Sequence, residues 1–203
     1  MCNYFAVARK YELKRRAERQ AETRRRIVEA AIELHRAKGP ARTTISDIAR
    51  LAGVERHTFY RHFPDERAIG LACSGLYMEL NPPPAAEPWR AVLDPEARLQ
   101  RGLGELYDFY ERAEDMLSRV LRDAEIHPLT REMFDLRAGG SMAAVREALA
   151  ELLPPDKRVA AVLDLALDFH AWRRLRDSGL SPREAAELMA SLIVSAARGS
   201  AGA

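Results

Sequence analysis

The 203-residue chain is short of several things at once. It has two cysteines, Cys2 and Cys73. Without an export signal these read as two free thiols in a reducing cytoplasm, which argues against a disulfide scaffold. No apolar run approaches the ~20 residues needed to cross a bilayer. The opening "MCNYFAVARKYELKRR" has no charged segment followed by an apolar stretch and a cleavage site, so no secretion signal is read and a cytoplasmic protein is expected. Strand-like alternation is scarce, and neither repeats nor low-complexity segments occur. Enzyme signatures are equally thin. Asp164 and Asp168 stand four apart with His170 nearby, but a third ligand at metal-binding spacing is missing. Gly102-x-Gly104 lies within a helical pattern and follows no strand, so it is no dinucleotide loop. No metal, cofactor or enzymatic activity is expected.

What the chain does have is a core and a lopsided charge. Hydrophobic residues make up 47%, which is enough to fold. The net charge of +2 conceals 16 basic against 9 acidic residues over positions 1–70, and 16 against 21 thereafter. A basic first third on an acidic remainder suggests a polyanion partner for that third alone.

Nearly every segment reads as helix. Ile27, Ala30, Ala31 and Leu34 follow i, i+3, i+4, i+7 within Ala21–Lys38, and Gly39-Pro40 stops that helix. Thr44-x-x-Asp47 is a variant capping box opening a second helix to about Ala52. Gly53 breaks it, a third helix runs from about Glu55 to His62, and a fourth from about Glu66 to Leu80. Asn81–Pro95 holds five prolines in fifteen residues and predicts a rigid, non-helical connector. Beyond it, helical stripes are expected through Leu121, then a helix from about Leu129 to Leu152, kinked or split at Gly139-Gly140. A largely apolar helix over Asp156–Asp177 follows. The last helix is opened by Ser181-Pro182-x-Glu184.

The stretch "ISDIARLAGVERHTFYRHF" (Ile45–Phe63) carries the chemistry. Ile45, Ile48, Ala49 and Ala52 give an inner face with small residues for close approach, and Gly53 sits where a tight turn needs a positive φ. Val54, Phe59 and Phe63 point inward. Glu55, Arg56, His57, Thr58, Tyr60, Arg61 and His62 are left outside, a set able to bond phosphates and base edges. An ordinary solvated face would carry more Glu, Lys and Gln.

"TTISDIARLAGVERHTFYRHFPDERAI", preceded by "TRRRIVEAAIELHRAKG", resembles the DNA-binding signature of TetR-family transcriptional regulators over about Glu22–Leu71. The resemblance implies an all-α protein of about nine helices. A basic arm (1–19) and a three-helix helix-turn-helix domain (20–68) would precede a ligand-binding and dimerisation domain (69–203). It implies a homodimeric repressor on double-stranded DNA, released from a pseudo-palindromic operator by a bulky, mostly apolar inducer. The alternative is a helical interaction protein of the same fold with lost or altered DNA binding. Arg56, His57 and Thr58 are then candidates for base contact. Thr44, Tyr60, Arg61 and His62, with Arg24, Arg25 and Arg26, are candidates for the phosphates. Glu55 is expected to favour the start of the reading helix.

Three positions depart from the family pattern. His35 replaces an aromatic, His57 a small residue, and Glu66 a lysine that touches phosphate, for which the adjacent Arg67 is the candidate substitute. Candidate inducer-lining residues are Tyr107, Tyr110, Met116, Val120, Met133, Phe134, Met142, Phe169 and His170. Candidate dimer contacts are Val162, Leu163, Leu167, Met189, Leu192, Ile193 and Ala196. The arm "ARKYELKRRAERQAETRRR" has nine basic residues in nineteen and could run along phosphates or into a minor groove.

Overall fold

The computed structural model describes residues 3–200, and Cys2 lies outside them. Among these residues there are nine α-helices and no strands. They are α1 (Asn3–Lys38), α2 (Ile45–Leu51), α3 (Arg56–His62), α4 (Glu66–Leu80), α5 (Pro95–Ala124), α6 (Pro128–Ala150), α7 (Lys157–Leu167), α8 (Phe169–Asp177) and α9 (Pro182–Ser200). Two compact units divide the chain. The first combines Met1–Tyr77 with Ser118–Met133, and the second Met78–Leu117 with Phe134–Ala203. The first unit therefore recruits the end of α5 and the start of α6, which lie far along the chain.

Local chemistry accounts for most of the boundaries. Thr44 and Asp47 form a reciprocal capping box, and Ser181 and Glu184 repeat it at the start of α9, with bonds of 2.9 and 3.3 Å. Between α4 and α5 the proline-rich connector is not wholly irregular: Glu87–Ala91 forms a 3₁₀ helix and seats Trp89 in the second unit's core with no exposed surface. There Trp89 donates from Nε1 to Glu105 at 2.9 Å. The buried Arg98 nearby bonds the carbonyls of Arg90, Val92 and Ala148 and pairs with Glu151 at 2.7 Å. This satisfies a guanidinium that burial would otherwise penalise heavily.

Three helix expectations need correction. First, α1 begins at Asn3 and not near Ala21, so the basic arm is continuous with the helix that packs in the first unit. Second, α6 runs unbroken through Gly139-Gly140, whose exposed glycines cost propensity without stopping the ladder. Third, the expected single helix over Asp156–Asp177 is two, broken at Asp168 in an extended conformation (φ −77°, ψ 127°).

Neither glycine nor proline marks that break; side chains hold it. In a continuous helix the amide of Ala171 would bond the carbonyl of Leu167. Instead it donates to Asp168 Oδ1 at 2.7 Å. The freed carbonyls are taken by α5: Tyr107 donates its hydroxyl to Ala166 O at 2.8 Å and Tyr110 to Leu167 O at 2.7 Å. Burial pushes both phenols well above their ordinary range, so they stay protonated donors. Tyr110 also sits among Phe169 and Trp172, at ring separations of 5.5 and 5.6 Å. Tyr110→Phe keeps the ring and strands a buried carbonyl, and should cost about 1–3 kcal/mol. Urea denaturation would show this as a lower midpoint at an unchanged slope.

Candidate nucleic-acid interface

The first unit's core consists of Ile27, Val28, Ala30 and Ala31 from α1, Ile48 and Ala49 from α2, Phe59 from α3, Ile69 and Cys73 from α4, and Ala52 and Phe63. Phe59 and Phe63, with at most 1% exposure, anchor α3 from below. Gly53 turns the chain between α2 and α3 at φ +64°, a conformation costly for any residue with a Cβ. Val54 N bonds Ala49 O at 3.0 Å and closes the turn.

With Phe59 and Phe63 inward, α3 presents Arg56, His57, Tyr60 and Arg61 as exposed side chains, with Thr58 and His62 half-buried. Arg56 reaches one turn along to Tyr60, 3.4 Å from its hydroxyl and 6.0 Å from the ring centre. His57 Nε2 lies 3.3 Å from the Thr58 hydroxyl. Glu55 occupies the N-cap position but its side chain makes no capping bond, so any benefit to the helix is through charge alone. His62 is held below its ordinary pKa, first by burial and then by Arg61 and Arg24.

The three arginines of α1 separate. Arg24 lies over the Phe63 ring at 4.7 Å. Arg26 reaches to within 3.9 Å of where a Cβ on Gly53 would stand, at the turn between α2 and α3. Arg25 points elsewhere and pairs with Glu29 at 2.7 Å.

Two candidate phosphate contacts are already engaged within the chain. The Thr44 hydroxyl accepts from Asp47 N at 3.1 Å and lies 2.9 Å from Asp47 Oδ2. Arg67 pairs with Glu132 at 2.7 Å. Asp47 also binds Lys38 at 2.6 Å and Arg50 at 2.5 Å. The Lys38 ammonium, with Thr44, holds its carboxyl below the usual carboxylate range.

Sequence reasoning missed a clamp on the end of α1. Arg119 Nε bonds Ala37 O at 2.9 Å and Arg122 Nη2 bonds Lys38 O at 2.9 Å. Asp123, 1% exposed, accepts from Ala41 N at 3.0 Å. The terminal carbonyls of α1, which no helix can satisfy internally, are thus bonded by α5. Gly39 crosses this clamp at φ +98°, and a Cβ there would collide with Asp123 and Arg122. No local pattern announces partners more than 80 residues away. His35 lies in the same unit, with Nδ1 3.7 Å from Cys73 Sγ, and burial pushes its pKa down to about 4.

The inducer-lining candidates do not fall in one unit. Val120 and Met133 belong to the first, and the other seven to the second. Tyr107, Tyr110 and Phe169 pack as aromatic core around the α7–α8 break, Met116 is buried, and Phe134 and Met142 are half-buried. His170 is exposed at the start of α8.

Of the dimer candidates, Leu163, Leu167, Met189 and Ile193 are buried within the chain, because α7 and α9 pack on each other. They are therefore core, not surface. Val162 and Ala196 are half-buried, and Leu192 is 48% exposed beside Leu188 on α9, with Leu165 exposed on α7. Asp164 pairs with Arg146 at 2.6 Å. Among the described residues no helix is long and apolar enough to span a membrane.

Residues 27–73 match the family model described as bacterial regulatory proteins, tetR family. Over 57 residues the chain is 49% identical to the HTH-type transcriptional regulator TtgR of Pseudomonas putida, covering 28% of this chain and 27% of that protein. The match thus spans about a quarter of that relative's length. Among solved structures, FadR from Bacillus subtilis in complex with stearoyl-CoA aligns with a TM-score of 0.58 at 16% identity, over 84% of this chain and 97% of that one. A tetR-family transcriptional regulator from Streptomyces coelicolor aligns with a TM-score of 0.57 at 20% identity, over 90% and 83%. At such identities these two likenesses establish the fold.

Proposed function

We propose that this chain, whose residues 27–73 match the family model described as bacterial regulatory proteins, tetR family, is a sequence-specific DNA-binding transcriptional regulator. In this reading it is a cytoplasmic repressor, not an enzyme. The observation that carries it is the surface of α3. Arg56, His57, Tyr60 and Arg61 stand exposed on a helix fixed from below by Phe59 and Phe63, with Arg26 at the adjoining turn. Arg56, His57 and Thr58, at the start of α3, would meet base edges in a major groove. Tyr60, Arg61, His62, Arg24 and Arg26 would meet phosphates. Thr44 and Arg67 can join them only by giving up the partners described above.

The protein would act as a homodimer on a pseudo-palindrome. We assign the dimer face to the exposed leucines Leu165, Leu188 and Leu192, with Val162 and Ala196 beside them. The inducer would be bulky and mostly apolar. The stearoyl-CoA in the FadR neighbour offers a long apolar acyl chain of that kind, joined to a highly polar coenzyme, and an inducer regulates only if it binds the DNA-competent and DNA-incompetent states unequally.

Selection from random-sequence duplexes, followed by footprinting, tests the proposal. A pseudo-palindromic site should emerge whose affinity falls steeply with salt. Failure to enrich any sequence would favour an interaction protein that keeps the fold without DNA recognition.

A further inference from the structure

From Lys14 to Arg26 helix α1 runs for more than three turns with no buried side chain. Glu12 and Lys14–Glu22 are all exposed. A helix that buries no face in its own protein needs either side-chain pairs or a partner to hold it. Pairs of that kind run along one flank. Lys14 lies 3.9 Å from Glu18 and Arg25 2.7 Å from Glu29, each one turn apart, and Glu22 also acts on Arg25. Glu18, Glu22 and Glu29, at i, i+4 and i+11, therefore form an acidic row alongside Lys14 and Arg25.

A second row runs beside it. Arg15, Arg19 and Arg26 share the same i, i+4, i+11 spacing, with Arg16 adjoining and Glu12 the single acid near its outer end. The inner end of this row is placed by the fold, because Arg26 reaches the Gly53 turn that leads into α3. At 1.5 Å rise per residue, Arg19 and Arg15 stand about 10 and 16 Å farther out along the axis. Duplex DNA carries about one phosphate charge per 1.7 Å of its length, so a row of that span faces roughly ten of them.

We infer that the N-terminal half of α1 is a second DNA-binding element, in which the Arg15–Arg19–Arg26 row, with Arg16, binds backbone phosphates flanking the bases that α3 reads. The inference rests on the DNA-binding reading above and extends it. It replaces the picture of a loose arm with a rigid one of fixed register. Its contribution is independent of base sequence, because phosphates carry no sequence information.

The experiment uses the full-length protein and the duplex selected above in two lengths, one trimmed to the bases read and one extended by about a helical turn on each side (roughly 10 base pairs). The variant is Arg15→Ala/Arg16→Ala/Arg19→Ala, compared with the triple lysine replacement. On the long duplex the alanine variant should bind at least about tenfold more weakly at low salt, the deficit growing as salt is lowered. Its slope of log affinity against log salt should be shallower by up to about five for a dimer losing three contacts per subunit. Its footprint should shorten on both sides, and its base preference should stay the same. The trimmed duplex should not distinguish the variant from the parent, and the lysine variant should restore slope and footprint. An alanine variant with the parent's slope and footprint overturns the inference and leaves the DNA-binding reading standing. Absence of specific binding by the parent overturns both.

Discussion

Replacing Arg56 and His57 together by alanine is expected to abolish sequence-specific DNA binding, at a cost of at least about 100-fold in affinity for the selected site. Both residues lie in the first turn of α3, where a recognition helix meets base edges. A good bidentate base contact is worth about 1–3 kcal/mol, and a dimer would lose the pair in each half-site. The fold should not notice. Both side chains are exposed, and the Arg56 contacts to Tyr60 are at the long end of bonding range; alanine is also the better helix former. Sequence-independent binding should persist, since Arg24, Arg26 and Arg61 remain. Gel shifts on the selected site and on a scrambled duplex would separate the two components. His57→Ala alone should relax preference at one or two positions rather than remove binding. If the double variant kept the parent's preference, the reading residues would have to lie elsewhere on the first unit.

The second large effect concerns acid. His35→Phe should leave stability near neutral pH within about 1.5 kcal/mol of the parent, since it exchanges one planar ring for another in a packed site. It should make the protein markedly more stable than the parent at pH 4.5. The cause is burial, which holds the His35 pKa at about 4; nearby Asp123 opposes the shift and His127 adds to it. In the unfolded chain the same group titrates near 6.5. Between those values the unfolded state binds a proton that the folded state refuses. Stability is therefore complete above about pH 6.5 and declines as pH falls toward 4, by up to about 3 kcal/mol in all. Asp47, whose carboxyl is depressed by Lys38, also loses its contribution on acidification, but it does so in both proteins and cancels from the comparison. Urea midpoints at pH 7 and 4.5 measure the difference. Parallel profiles would mean that another group carries the acid sensitivity.

What could be read from the sequence was local. The two capping boxes, the turn at Gly53 and the inward pair Phe59 and Phe63 depend on residues within a few positions of one another, and the structure has all of them. The helical character of every segment and the boundaries of α2, α3 and α4 were legible for the same reason. The break at Asp168 was not, because the groups that hold it, Tyr107 and Tyr110, lie 59 and 57 residues away. Gly139-Gly140 misled in the opposite sense: glycine lowers helix propensity, and tertiary context overrides it. Leu163 and Ile193 show a limit of periodicity, which finds an apolar face but does not say whether α7 and α9 turn it toward each other or toward a second subunit. For the reading surface, the outward residues of α3 were legible. The prior engagement of Arg67 was not, since Glu132 is a distant partner, whereas that of Thr44 follows from its capping box with Asp47.

The clamp on α1 bears on modularity. Arg119, Arg122 and Asp123 supply bonds that Ala37, Lys38 and Ala41 have no means of making for themselves. The segment Met1–Tyr77 cut from the chain would leave those groups to water and lose the wall against which Gly39 is fitted. Exchange of this unit between proteins of the fold should therefore work as a two-piece graft. Ser118–Met133 has to travel with α1–α4, or the transplanted unit arrives without its keystone.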